Sequence, residues 1–399
     1  MIRRIIVLGG GFAGLWSAIG AVRTLEALGI GSDEIEVVLI DRSAWHSIRV
    51  RNYEADLGDT RVALDSVLGP VGVRRIEGDV TGIDVVARTV AYEADGKEQS
   101  IAYDRLVFAL GSRLARPPIP GLDEHGFDVD TYAGAERLNT HISGLKSGQS
   151  TVLVVGGGLT GIEAATEMPG KLRAAGIASP RVIIADHAPR IGSDMGAGAM
   201  PVIEEALAAL GVEMRGGVSV AAVDAGGATL GSGERIEAAT VVWCAGMRAH
   251  PLTAQIPVER DRLGRLPVDP SLKIKGLAAE FAAGDAAWFL VDDRHCSVMS
   301  CQHSRPMGRF AGHNVVCDLL GRPMLPLRID WYTTILDLGS WGAVYTEGWD
   351  RRLVSQGAAA KRTKEIINRE RIYPPRSGDR REILEAAAPT VQAPPVRFN

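Results

Sequence analysis

Two stretches of this 399-residue chain space glycine so that backbone amides could hold a phosphate: Gly9-Gly10-Gly11-Phe12-Ala13-Gly14 and Gly156-Gly157-Gly158-Leu159-Thr160-Gly161. The first follows the apolar run Ile5 to Leu8 and passes into a helical pattern carried by Leu15, Ile19 and Val22, the order strand, tight turn, helix. Gly9 permits the turn, Gly11 leaves room for a pyrophosphate, and Gly14 lets helix and strand approach. The unpaired N–H groups of the helix start then face the anion. With 47 glycines in the chain, the spacing alone is weak. What strengthens it is an acid and a repeat. The next strand, Ile35 to Ile40, ends in Asp41, placed to accept from ribose hydroxyls, with Arg42 beside it. Asp41 lies further on than the usual ~20 residues because Leu28 to Asp33 lengthens the connection. The second turn follows the strand Thr151 to Val155, and its next strand, Val182 to Ala185, again ends in an acid, Asp186.

Other candidate residues take their value from order. Ala279 to Ala283 reads as a strand ending in Gly284-Asp285 before a helix-like run; such an Asp can bind polyol hydroxyls. Leu106 to Leu110 ends in Gly111-Ser112, where chain and ligand can come close. Trp45 to Leu57 gathers His46, Arg49, Arg51, Tyr53 and Glu54 without metal-like spacing, and reads either as a solvated helix face or as a site lining. No metal site is expected. Four cysteines, at 244, 296, 301 and 317, are too few for a disulfide scaffold and fit a reducing, cytoplasmic setting. The spacing Cys296-x4-Cys301 is suggestive of redox chemistry, but free thiols near a helix start explain it more simply.

The elements that must position these residues need more than one core, since a single core rarely serves beyond ~250–300 residues. Apolar content of 46% is ample, and a net charge of −4 offers nothing to nucleic acid. No apolar run reaches membrane-spanning length, and Met1 to Arg4 leads into a first strand rather than a leader. Meanders read at 72–103 and 218–237, and Pro117-Pro118-Ile119-Pro120-Gly121 looks like a hinge. Pro169-Gly170 is expected to break the second fingerprint's helix. Because Gly284-Asp285 comes after the second unit, the first domain has the second inserted into it. The expected fold is α/β, with two Rossmann-like dinucleotide-binding domains and a C-terminal α+β region. Its divisions are 1–115 and 249–322 for the first domain, 116–248 for the second, and 323–373 for the C-terminal region, which holds Trp331, Tyr332, Trp341, Tyr345 and Trp349. A helix is expected from about Gly357 to Arg371, and the proline-rich 374–399 as a disordered tail.

This order of parts resembles the two-dinucleotide-binding-domain flavoproteins of the pyridine nucleotide-disulfide oxidoreductase superfamily, and within them the type II NADH:quinone oxidoreductase family. The resemblance covers about residues 3 to 375. Its points are both fingerprints with Asp41 and Glu163, the segment around His46, Val242 to Gly246 with Pro251, Gly284-Asp285 and Ile372 to Pro375.

The resemblance implies FAD and NADH as cofactors. Gly9, Gly11, Phe12, Ala13, Gly14, Asp41 and Arg42 would hold the ADP half of FAD, with Val80, Ala109 and Gly111 nearby and Gly284-Asp285 on the ribityl chain. Gly156, Gly158, Leu159, Thr160, Gly161 and Asp186 would hold NADH, with Ala245-Gly246 closing the site and Glu163 near the nicotinamide. Asp186 would repel a 2′-phosphate, which favours NADH over NADPH. Gln302 and Cys301 would stand at the flavin on the acceptor side. The chain departs from the family there: Gln302 is present, but Cys301 fills the position before it and Pro306 or Met307 stands where a second Gln is expected. The helical stretch Lys361 to Ile372, with five Lys or Arg, is a thin peripheral membrane anchor at the inner face of the cell membrane. Relatives' habits make a homodimer the expectation. The implied acceptor is a quinone or another small molecule. The rival readings are a soluble reductase of a carrier protein or specialised metabolite, and an NADH-responsive flavoprotein resembling apoptosis-inducing factor.

Overall fold

The computed structural model describes residues 2–146 and 148–398. Two five-stranded parallel sheets organise the chain. The first runs Glu280–Ala282, Arg105–Phe108, Arg3–Leu8, Ile35–Asp41, Arg74–Glu77. Its central strand is buried from Ile5 to Leu8, as a parallel sheet covered on both faces requires. The second runs Gly126–Phe127, Thr240–Trp243, Thr151–Val155, Arg181–Ala185, Val212–Arg215. In both sheets the first βα unit sits beside the point where strand order reverses, so the carboxyl ends of several strands open into one crevice.

Each sheet carries an antiparallel meander, at 79–102 and 220–237. The two sheets' segments are tied by an antiparallel pair, Ser112–Leu114 with Met247–Ala249. A third sheet, Thr333–Asp337, Ala343–Glu347 and Arg352–Gln356, is antiparallel and leads into the helix Gly357–Ile366 and a π-helical turn Ile367–Arg371.

Two helices bring the functional segments together. Phe12–Ala27 follows the first glycine turn, and Cys301–Leu319 packs along it. The approach is close: a Cβ at Gly308 would lie 2.3 Å from the Ala13 carbonyl oxygen, and one at Gly312 2.3 Å from that of Ser17. Any larger residue at either position would push the helices apart.

Three expectations differ from the structure. The helix Leu159–Ala174 runs through Pro169 without a break. Proline costs a helix interior ~3 kcal/mol, but Ala164, Ala165, Met168 and Leu172 are buried around it, and that packing outweighs one lost hydrogen bond. The terminal segment is ordered: Arg380–Ala386 is a helix capped by the Asp379 side chain, which accepts from Glu382 N–H. Ile383, Leu384 and Ala387 share its buried face, and proline-rich composition on either side masks that short apolar pattern. Finally, no helix follows Gly284-Asp285 directly. A short turn and the strand Ala287–Trp288 intervene before the helix at Cys301, whose start is capped by Ser300 accepting from His303 N–H.

Candidate functional site

The first glycine turn is held from below by an acid. Asp41, at the end of its strand, accepts from Gly10 N–H through Oδ2 at 2.5 Å and from Ser43 N–H through Oδ1 at 2.7 Å. Burial raises its carboxyl above the usual range, against the pull of these two backbone donors. A Cβ at Gly14 would sit 1.8 Å from the Gly9 carbonyl oxygen and one at Gly9 2.6 Å from that of Ala109, whereas one at Gly11 would meet nothing within 4 Å. The turn is closed on the protein side and open on the ligand side, as a pyrophosphate needs. His46 braces it: Nδ1 lies 2.8 Å from the Gly10 carbonyl oxygen and the ring meets Phe12 edge-on. Full burial lowers the imidazole to about 4, so at neutral pH it is uncharged and donates from Nδ1.

The second turn repeats the device. Asp186 accepts from Gly157 N–H at 2.5 Å and from Ala188 N–H at 2.6 Å, and a Cβ at Gly161 would lie 1.7 Å from the Gly156 carbonyl oxygen. Gly158, Leu159 and Thr160 are exposed at its mouth, with Ala245 and Gly246 across from it at the end of the neighbouring strand. His187 is exposed next to Asp186, and Arg190 is engaged by Glu204.

Asp285 lies at the carboxyl end of the first sheet. It accepts from Ser112 Oγ at 2.6 Å and Ser304 Oγ at 3.2 Å, with Arg49 at 3.9 Å. Ser112 brings Gly111 to the same place. Val80 is buried in the first meander and Arg42 is exposed beyond Asp41.

A cavity of about 280 Å³ lies between the helix after the second glycine turn and the helix packed on the first unit. Leu159, Thr160 and Glu163 reach it from the second unit, and Cys301, Gln302, Arg305 and Pro306 from the helix packed on the first. Gln302 donates weakly to the Trp331 carbonyl oxygen and accepts from Thr333 Oγ1. Burial pushes the Cys301 thiol up, so it stands as a neutral thiol. Cys296 is exposed, and the two are free thiols rather than a disulfide. Of the polar cluster left open between two readings, Arg49 and Tyr53 line this cavity, while Arg51 and His46 are buried structural groups. The 45–54 segment is a two-stranded corner and a 3-10 turn, not a helix face.

The sequence reading misses Lys364. Placed on a charged helical stretch, it turns inward and donates to Glu163 Oε1 at 2.7 Å. Burial raises the Glu163 carboxyl, with Lys364 opposing. Burial alone would lower Lys364, but Glu163 together with Asp337 offsets it and the ammonium is raised. Asp337 extends the network: its N–H donates to Glu163, its carboxylate accepts from Lys361 and from Tyr53 OH. Ile372 is buried and Ile367 packs on the core, so the large apolar residues of 361–372 point largely inward. An i, i+4 pattern at Ala360 and Lys364 is the only sequence signal, and it conflicts with residue type.

Residues 3–308 match the family described as Pyridine nucleotide-disulphide oxidoreductase. The chain belongs to that family. NADH dehydrogenase-like protein Rv1812c of Mycobacterium tuberculosis strain H37Rv is 57% identical over 402 residues, spanning 98% of this chain and 100% of the relative. Type II NADH:quinone oxidoreductase Ndh of the same organism is 30% identical over 323 residues, 71% of this chain and 67% of its own. The structure of NDH2 from Plasmodium falciparum in complex with RYL-552 superposes with a TM-score of 0.77, covering 97% of this chain and 98% of that one; at 12% identity this is a likeness of fold. The chain is therefore an NADH dehydrogenase-like oxidoreductase of the two-dinucleotide type, and its cofactors are FAD and NADH. Among the described residues no helix is long and apolar enough to cross a membrane.

Proposed function

We propose that the protein oxidises NADH through FAD and delivers the electrons to a quinone-like acceptor, in the sum NADH + H⁺ + quinone → NAD⁺ + hydroquinone. The observation that carries this reading is the single cavity reached both by Leu159, Thr160 and Glu163, beside the second glycine turn, and by Cys301 and Gln302, beside Asp285. Bound FAD would supply the redox chemistry, carrying two electrons from NADH to the acceptor.

The chain's own residues position and shield. The Gly9 to Gly14 turn and its helix start hold the pyrophosphate of FAD, with Asp41 keeping the turn rigid and retaining lone pairs for the ribose. Asp285, preset by Ser112 and Ser304, accepts from ribityl hydroxyls. Asp186 serves the NADH ribose in the same way. Glu163, fixed by Lys364, orients the carboxamide of the nicotinamide. Gln302 offers its carboxamide to the ring system or to a quinone carbonyl. Cys301, a neutral thiol, packs rather than attacks.

One observation favours a different small-molecule acceptor within the same scheme. Pro306 lines the cavity where a second glutamine is expected, and proline offers a quinone carbonyl no donor. Anaerobic stopped-flow tests both: NADH should bleach the flavin rapidly, and a short-chain menaquinone analogue should restore its absorbance faster than oxygen does. Bleaching without quinone reoxidation would keep the NADH half and remove quinones as the acceptor. No bleaching by NADH would remove the whole reading.

A further inference from the structure

Two arginines that line the cavity, Arg305 and Arg371, and a third behind them, Arg309, stand without a carboxylate. Arg305 and Arg309, on the cavity helix, are 5% and 4% exposed and stack over Trp16, with guanidinium carbons 5.6 and 4.5 Å from its ring. The Nε of each has no hydrogen-bond partner. Arg371 approaches from the π-helical turn. No ion pair engages any of the three among the described residues. The partners of two of them are neutral oxygens of the extended C-terminal segment: Arg305 donates to Gln392 Oε1 at 2.7 Å and Arg371 to the Ala393 carbonyl oxygen. The one carboxylate among the described lining residues, Glu163, is taken by Lys364.

Burying a guanidinium without an anion is costly, and the cost is met where a ligand supplies one. The pyrophosphate of FAD belongs at the Gly9 to Gly14 turn. Arg305 instead stacks one helical turn further along, over Trp16, and with Arg371 it grips adjacent residues of the C-terminal segment, whose Val391, Gln392 and Pro395 line the cavity. Apolar and aromatic residues, among them Val50, Val129, Ile335, Tyr332 and Ile367, form much of the remaining wall, alongside polar Ser300, Thr333, Thr334 and Asn368. Tyr332 is held flat by stacking on Trp349 at 4.3 Å between centroids, and His295 stacks on Trp349 at 4.4 Å.

We propose that Arg305 and Arg371 form a carboxylate subsite, so that the acceptor is a planar aromatic quinone bearing a carboxylate. The carboxylate replaces the Gln392 and Ala393 oxygens, converting neutral hydrogen bonds into charge-assisted ones, while the ring lies on the apolar walls. This substrate class rests on the function proposed above, but the subsite itself is tested without turnover.

The experiment titrates the oxidised, FAD-loaded protein with redox-inert 2-naphthoate and with its neutral methyl ester, reading tryptophan fluorescence or heat. The expected preference for the carboxylate is about tenfold or more, falling with added salt and abolished in Arg371→Gln. Arg305→Gln should abolish it too; because that residue lies nearer the first glycine turn, its FAD content is measured alongside, and Arg371→Gln keeps the test decisive if it loses flavin. Equal affinities for acid and ester, or a preference that survives Arg371→Gln, overturn the subsite. Failure of NADH to bleach the flavin overturns the function instead, and the two results are independent.

Discussion

Lys364 Nζ donates to Glu163 Oε1 at 2.7 Å across 201 residues of chain, both side chains buried. The pair fastens the C-terminal helix Gly357–Ile366 to the helix that follows the second glycine turn, and so sets one wall of the cavity. A buried pair of this kind contributes little net stability compared with an apolar replacement, but removing one partner strands the other charge. Lys364→Met should therefore destabilise the protein by about 3–5 kcal/mol, and Glu163→Gln with Lys364→Met together by less than the sum of the singles. Denaturant unfolding of the three variants measures this. Because burial already raises the Glu163 carboxyl, the stranded acid takes up a proton as pH falls, so the deficit of Lys364→Met should shrink toward acid. A deficit below ~1 kcal/mol that does not change with pH would mean water reaches the pair.

His46 makes a sharper pH prediction. Its folded value is lowered by burial to about 4 from 6.5. Between those values the unfolded chain binds the proton and the folded one does not. Stability contributed by the neutral ring is thus full above 6.5 and is lost as pH falls through that window toward about 4. His46→Gln keeps a donor for the Gly10 carbonyl without titrating. The wild-type protein should lose roughly 3 kcal/mol more than His46→Gln between those limits. His250 and His303, also lowered to about 4, titrate equally in both proteins and cancel from the difference. Parallel stability curves would show that water reaches His46.

Much of this architecture was legible because it rests on local patterns. The two glycine turns, their flanking strands and the acids at positions 41 and 186 are all short-range signals, and each occupies the expected place. The acids' first task was not legible. Asp41 and Asp186 each spend their oxygens on two backbone N–H groups of turns, a contact that a pattern of residue types does not display. The buried charges were hidden for a different reason. Lys364, Arg305 and Arg371 are residue types that normally face solvent, so their inward placement depends on Glu163, far back in the chain, or on the C-terminal segment that Gln392 and Ala393 bring against them. Pro169 and the helix Arg380–Ala386 show the same limit: tertiary packing overrode a local breaker in one and a disorder-like composition in the other.

Asp285 is the most direct test of the FAD site. Its carboxylate is held by Ser112 and Ser304 at the carboxyl end of the first sheet, and no other acid among the described residues replaces it there. Asp285→Ala should purify with sharply lower flavin content, measured as the ratio of flavin to protein absorbance, and added FAD should restore only part of it. Ser304→Ala removes one positioning donor and should weaken retention by less, about 1 kcal/mol or some fivefold in Kd. Full flavin content in Asp285→Ala would move the ribityl contact elsewhere.

The extended C-terminal segment supplies the last prediction. Beyond the helix Arg380–Ala386, Val391, Gln392 and Pro395 form part of the cavity wall, and this segment is held mainly through its backbone oxygens, by Thr363 Oγ1 on Val396, Tyr345 OH on Pro395 and Arg371 on Ala393. Such partly exposed bonds contribute about 1 kcal/mol each at most. Ending the chain after Ala388 keeps the helix and its buried Ile383 and Leu384, so the protein should stay folded and lose roughly 1–3 kcal/mol. Removing the wall opens the acceptor end and frees Arg305 and Arg371 from their neutral partners. Reoxidation of the NADH-reduced protein by a carboxylated naphthoquinone should then rise severalfold, and by its methyl ester to a smaller degree, whereas the rate of bleaching by NADH depends on the opposite end of the cavity. An equal gain for acid and ester would mean the segment acts only as a steric cover; a loss of reoxidation by both would make it part of the acceptor site.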